Sequence, residues 1–296
     1  MTSNRIIRSI TLCAVAMLLL SACSIYDEYP ARRHYDVILR IADSTGQVLP
    51  DSVASVNTLY AFRKGIFAGK YNAVEKNKFS IDSECNCGEC LTFVALYNHE
   101  NNKATINEPI LGESIHNVWL QLHTQGDSIA TPPSAICHGK LTIPANSCEE
   151  KEHILYLHDQ RAKARVYVKG IRPHFGEGNY RVVLEGLYSG ITYYGQPHGI
   201  RVNYRLPGNF VKQNDWATSP VTLLPTGKEP CRLLLYKHDG GLLLDTTKDE
   251  YGKPLIINPK DDVVFYIAFH TSEDQTVGIS IKVLPFEDVD NDFTFE

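Results

Sequence analysis

The thiol of Cys23 stands directly behind Leu20-Ser21-Ala22, and an apolar run from Ile10 to Leu20 leads into it behind Arg5 and Arg8. A positive leader, a short apolar stretch and a small-residue cleavage site in that order form a signal peptide. The apolar run of 11 residues falls short of the ~20 needed to cross a bilayer. The tetrad has the order of a bacterial lipobox, in which cleavage behind Ala22 leaves Cys23 as the acylated first residue. Acyl chains such as palmitate contribute about 0.8 kcal/mol per buried methylene, so several of them hold a chain at a membrane without a protein span.

A second group of thiols is Cys85-Asn86-Cys87-Gly88-Glu89-Cys90, with Cys137, Cys148 and Cys231 further on. Structural zinc takes four Cys or His ligands, usually as two close pairs, and only one close set exists here. His99, His138 or Cys137 could complete a site, but at a spacing unlike a zinc ribbon. An exported chain passes through an oxidising compartment, so disulfides among these six cysteines are the leading expectation, with free thiols and a metal as alternatives. No metal or cofactor is assigned. Asp288-Val289-Asp290-Asn291-Asp292 opens like a calcium loop, but Phe293 stands where that loop needs Gly, and the expectation is a solvated acidic tail.

Motifs for hydrolysis are missing. Gly186-Leu187-Tyr188-Ser189-Gly190 has the wrong spacing for a nucleophile elbow, the 11 His are dispersed, and Asp239-Gly240-Gly241 reads as a hairpin turn rather than a phosphate loop. The chain is therefore not expected to be an enzyme.

The elements that must carry these residues are strands. Aromatics make up 10% of the 296 residues, led by 16 Tyr, and 20 Gly and 15 Pro supply turns; such a composition favours sheets. Short apolar runs bounded by turn residues recur from Tyr35 onward, at Tyr35 to Ile41, Leu91 to Tyr97, Ala162 to Ile171, Tyr180 to Leu187, Val263 to Phe269 and Val277 to Leu284. In Arg165-Val166-Tyr167-Val168-Lys169, Val166 and Val168 can face a core while the other three face outward. The best helical candidates, Asn107 to Val118 and Gly208 to Trp216, are interrupted or short. An all-β, antiparallel sandwich architecture follows.

The expected organisation is a signal peptide over 1–22, a lipidated tether over 23–34, and β-sandwiches over 35–148 and 149–296, divided at a turn-rich connector. Losing the leader removes Arg5 and Arg8, leaving 27 basic and 34 acidic residues, a net charge of −7 over 274 residues. No basic face recommends nucleic acid as a partner.

The pattern as a whole resembles the fimbrial anchor lipoproteins of Bacteroidales, the FimB-type minor subunits. The residues that carry the likeness are Cys23 to Glu28, Leu59-Tyr60-Ala61-Phe62, Leu91 to Asn98, Ile136-Cys137-His138-Gly139, the run from His153 through Arg161 to Val168, Tyr180 to Gly186, and Asp262 to Phe269. Two departures are His158-Asp159-Gln160-Arg161, where the family more often has Leu-x-Arg, and the Cys85 cluster. The resemblance implies two tandem transthyretin-like domains, assembly by strand exchange with fimbrial (pilin) subunits, and lipid anchoring in the outer membrane. Asp27 and Glu28 resemble the acidic signal that sends lipoproteins of the Bacteroidota to the cell surface.

The expected donor or docking strand is Val277-Gly278-Ile279-Ser280-Ile281-Lys282-Val283, with Val277, Ile279, Ile281 and Val283 alternating; an ordinary strand of the second domain is the alternative. The first strand is expected to stay in place despite Arg32, Arg33 and Arg40, since cleavage there would cut the protein from its anchor. The competing function is a surface glycan-binding lipoprotein of a nutrient-uptake system. It would need a platform of exposed rings drawn from Trp119, Tyr193, Tyr194 and Trp216.

Overall fold

A computed structural model describes residues 31–43, 45–85, 90–98, 104–125, 128–144, 152–271 and 277–285. In chain order the first strands are β1 (Ala31–Ile41), β2 (Thr58–Arg63), β3 (Ile66–Asn72), β4 (Lys78–Cys85), β5 (Leu91–Tyr97), β6 (Thr105–Ile106), β7 (Trp119–Gln121), β8 (Thr124–Gln125), β9 (Ile129–Ala130), β10 (Cys137–Ile143) and β11 (Glu152–Asp159). Next come β12 (Ala162–Lys169), the short helix α1 (Ile171–Phe175), β13 (Arg181–Thr192), β14 (Pro197–Leu206), β15 (Gly208–Phe210), β16 (Trp216–Thr218) and β17 (Val221–Leu223). The last are β18 (Arg232–Tyr236), β19 (Leu242–Thr246), β20 (Asp262–Thr271) and β21 (Val277–Pro285). The all-β expectation holds. Of the two helical candidates, the second contains β15 and the start of β16.

The first sheet runs β3-β2-β5-β10-β11-β1-β4. Alternation built it: Tyr35, Val37, Leu39 and Ile41 of β1 are buried, and meet Leu59, Phe79, Phe93 and Leu157 in one core. β5 is buried on both faces. Leu91, Phe93 and Ala95 point into that core, while Val94 and Leu96 point into another shared with Phe62, Leu120, Ile191 and Tyr193. A strand covered on both sides reads as a continuous apolar run, and Leu91 to Tyr97 is one.

The second half is a sandwich. One sheet runs β15-β16-β12-β20-β21, with β17 also on β12; the other runs β19-β18-β13-β14-β9-β8, with β7 joining β13 and β6 joining β7. Val166, Val168, Phe265 and Ile267 of the first pack on Val182, Leu184, Tyr204 and Leu233 of the second. Each such side chain contributes about 1.5–3 kcal/mol by leaving water. The hairpin at Asp239-Gly240-Gly241 forms with Gly240 at φ 89°, a left-handed turn position that glycine occupies without strain.

Pairing shows three things that local pattern does not. The sheets are mixed rather than antiparallel: β1 and β11 run parallel, as do β12 and β20. β11 belongs to the first sheet, between β10 and β1. Conversely β7 and β9, from the first half of the chain, pair with β13 and β14 of the second, and β6 and β8 pair in turn with β7 and β9. Tyr167, expected to face outward, is buried: its ring stacks on Tyr266 at 5.7 Å and its hydroxyl donates to Asp215 at 2.7 Å.

Candidate docking surface

β21 is the edge of its sheet and pairs with β20 along its whole length, from Thr271↔Val277 to Val263↔Pro285. The carbonyl of Ile281 accepts a bond from the Glu250 N–H at 2.9 Å, on the side away from β20. In an antiparallel strand the N–H and C=O of one residue point the same way and alternate along the chain. The backbone groups of Val277, Ile279, Ile281 and Val283 therefore face the open edge, and the even-numbered residues bond β20. Their side chains share one face too. Ile281 is buried and Val283 packs against the core, whereas Val277 is 45% and Ile279 40% exposed. Lys282 pairs with Glu250 at 3.6 Å, so the Asp249 to Gly252 turn covers the middle of this edge and leaves the Val277 end open among the described residues. An edge with exposed apolar side chains is a template for another strand.

β1 is no edge. It lies between β4 and β11, paired over Ala31↔Cys85 to Ile38↔Lys78 on one side and Asp36↔Glu152 to Ile41↔Leu157 on the other. The retained first strand of the sequence reading is thus a central strand with four side chains in the core.

The joint between the halves was only noticed in the sequence as a departure from the family pattern. Asp159, at the end of β11, is buried, and Arg161 grips it with Nε at 3.0 Å from both carboxylate oxygens and Nη2 at 2.7 Å. Arg161 also donates to the Pro133 carbonyl, as does the Thr222 hydroxyl. A cleft of about 350 Å³ opens beside this pair, lined by Lys163, Lys260, Asp261 and Asp262 among others. The spacing Asp-x-Arg between two alternating strands was the available signal; a fork-to-carboxylate bond across one residue needs only a tight turn.

Three of the six cysteines are described as thiols. Cys90, Cys137 and Cys231 are free thiols, and Cys137 and Cys231 are buried in separate cores. Burial pushes both up to about 12, far from the thiolate that disulfide exchange and metal binding require. Cys137 and His138 are neighbours on β10 and face opposite sides, Cys137 towards the first core and His138 towards Tyr193, whose carbonyl its Nε2 meets at 2.8 Å. They cannot share a metal. The side chain of Cys85, with Cys87, Cys148, Cys23 and the acidic run from Asp288, lies outside the described residues. Among the described residues no three His, Cys, Asp or Glu side chains gather as a metal site.

The ring platform does not form from the four candidates. Tyr193 and Trp216 are core residues, Tyr193 set edge-on to Tyr60 at 4.9 Å. Trp119 lies against His198, and only Tyr194 is open, with the Lys140 ammonium over its ring at 3.4 Å. Ser189 is fully buried, out of reach of any substrate. No helix of the described residues is long and apolar enough to cross a membrane.

These sheets, joined by strands that cross between halves, share their fold with solved structures of a fimbrial anchor protein and of candidate adhesins. The chain aligns with a candidate adhesin from Bacteroides ovatus at 10% identity, covering 89% of this chain and 98% of that one with a TM-score of 0.55. A candidate polysaccharide-binding protein from Bacteroides thetaiotaomicron aligns at 12% identity over 86% and 98%, also with a TM-score of 0.55. The fimbrial anchor protein Mfa2 from Porphyromonas gingivalis aligns at 16% identity, over 86% of this chain and 98% of that one, with a TM-score of 0.59. Residues 35–292 match the family model of the fimbrillin-A associated anchor proteins Mfa1 and Mfa2, and the chain belongs to that family. No match is found among curated proteins.

Proposed function

We propose that the chain is an anchoring subunit of a fimbrium, held in the outer membrane by acyl chains on Cys23 and joined to a fimbrial subunit by strand pairing at β21. The observation that carries the docking part is the open side of β21, where the backbone groups of Val277 and Ile279 and their exposed side chains stand together. Backbone bonds along such an edge give affinity, and alternate side chains set register. The expected donor strand thus serves without leaving its sheet, where Ile281 contributes to the core. β1 stays in place as the link to the lipid. The body is read as two tandem units of transthyretin-like type.

Ile279→Pro is the discriminating variant. The Ile279 N–H faces the open edge, so proline deletes a docking donor without removing a bond to β20. Fimbriae should detach from cells carrying it, while the thermal midpoint of the purified protein stays near that of the wild type. Fimbriae that remain attached at normal length would refute docking at this edge. For the anchor, Cys23→Ser should release the protein from the membrane fraction.

A further inference from the structure

We infer that the turn carrying Ile110 and Leu111 is a membrane-contacting tip that seats the first sheet end-on against the bilayer. Ile110 is 72% and Leu111 77% exposed, on adjacent positions. Scattered exposed aliphatics are ordinary on a protein surface, but this pair has a particular place. The pairing Ala31↔Cys85 puts the start of β1 beside the end of β4. Following the sheet across, Leu91 begins β5 at that same end, paired with Arg63 of β2, and Arg63 pairs with Ile66 of β3. Ile66 bridges to Ser114, and the Phe67 N–H donates to the Glu113 carbonyl at 2.7 Å. The Ile110 to Glu113 turn is therefore fixed at the end of the sheet where β1 enters.

That end is where the lipid must lie if Cys23 is acylated, and the inference rests on that reading. Seven residues separate Cys23 from Ala31, a reach of at most about 30 Å when fully extended. The joint at Asp159 to Ala162 leaves from the opposite end, where Ile41↔Leu157 and Cys137↔Asp159 pair, and β12 and β20 run on from it towards the Val277 end of β21. The turn is stiff as well as apolar. The Glu113 N–H donates to the Ile110 carbonyl at 3.0 Å, and the Glu113 carboxylate accepts from the Ile110 N–H at 3.1 Å, so the two side chains are presented outward without a large entropy loss on contact. Aliphatic side chains on a rigid tip lower their free energy by entering the headgroup and acyl boundary.

The test uses the acylated full chain in vesicles of phosphatidylethanolamine and phosphatidylglycerol. An environment-sensitive fluorescent amino acid is placed at Leu111 and, separately, at Tyr251, which is 79% exposed on the turn beside β21. The expected result is a blue shift and protection from iodide at Leu111, relative to the lipid-free chain in solution, with neither change at Tyr251. Ile110→Asp should weaken the shift at Leu111. Water-like emission at Leu111 while mass spectrometry finds acyl chains on Cys23 would overturn the tip and leave the anchor standing. Shifts at both positions would overturn the end-on arrangement, and an unacylated Cys23 would overturn the anchor and the tip together.

Discussion

Arg161 holds Asp159 through both carboxylate oxygens across a single intervening residue, at the step where the chain leaves the first sheet for the second half. The carboxylate is nearly dry: the Asp159 side chain is 3% exposed. Around it, the Gln160 N–H donates to Ile136 and the Lys260 N–H to the Arg161 carbonyl, so the two residues of the joint are tied to both halves.

Arg161→Ala should leave Asp159 as an unpaired buried charge and cost on the order of 3 kcal/mol. Arg161→Lys keeps the charge, loses the fork geometry, and should recover part of the loss. Denaturant unfolding of the three proteins measures this; an Arg161→Ala change within about 0.5 kcal/mol, the range of ordinary surface substitutions, would mean the joint is held by its backbone bonds alone.

Gly190 admits the crossing of β7 onto β13. A Cβ there would run into the carbonyl of Leu120, so Gly190→Ala should push the strands apart at a cost of about 1–3 kcal/mol. The Leu122 N–H bonded to Ser189 and the Tyr193 N–H bonded to Val118 should then exchange faster with solvent. Unchanged exchange at these two amides would show that the crossing tolerates the added carbon.

His138 carries a pH signature. Burial pushes it below its ordinary 6.5, Lys140 adds to that, and the bond to the Tyr193 carbonyl opposes it. Its folded form resists a proton that the unfolded chain accepts, so its contribution is complete above about pH 6.5 and declines as pH falls below that value towards the depressed folded one. His34 acts in the opposite sense, raised by its bond to Asp82, but it lies exposed at the surface. His138→Gln should flatten the fall of the thermal midpoint between pH 6.5 and 5, relative to wild type, two values bracketing the window of a lowered histidine. An identical slope in the variant would place the acid sensitivity elsewhere.

Cys137 and Cys231 should resist alkylation in the native state and react once the protein is unfolded, because buried thiols raised to about 12 hold almost no thiolate at neutral pH. Mass spectrometry after a brief iodoacetamide pulse decides it. Modification of either residue at the rate of an exposed thiol would contradict their burial.

The strands themselves were largely legible. Alternation in Tyr35 to Ile41 and the apolar runs of Leu91 to Tyr97 and Val263 to Phe269 mark β1, β5 and β20, because side-chain burial on a pleated strand is a local property of order. Partnership is not local. Nothing near Glu152 says that its strand runs parallel to β1, or that Trp119 to Gln121 leaves its own half to pair with β13; both depend on residues far away in the chain. Tyr193 and Trp216 misled for a related reason, since an amphipathic ring reads as a surface feature until a core is built around it. The docking strand was visible at Val277 to Val283 as a pattern, yet which side of it faces outward follows from one long-range bond, Glu250 to Ile281. Ile110 and Leu111 carried the signal of two aliphatics beside a Pro and a Gly, and only the register of the sheet places them where β1 begins.

The parallel pairing of β1 with β11 has a mechanical consequence. The chain enters the first sheet at Ala31 and leaves it at Asp159, the two far ends of neighbouring parallel strands paired over Asp36↔Glu152 to Ile41↔Leu157. Tension drawn between those points runs along the strands, so the six paired positions and their backbone bonds are loaded together in shear rather than peeled open one at a time. The same arrangement returns in the second half, where β12, the strand that receives the joint, lies parallel to β20 from Lys163↔Asp262 to Lys169↔Ala268.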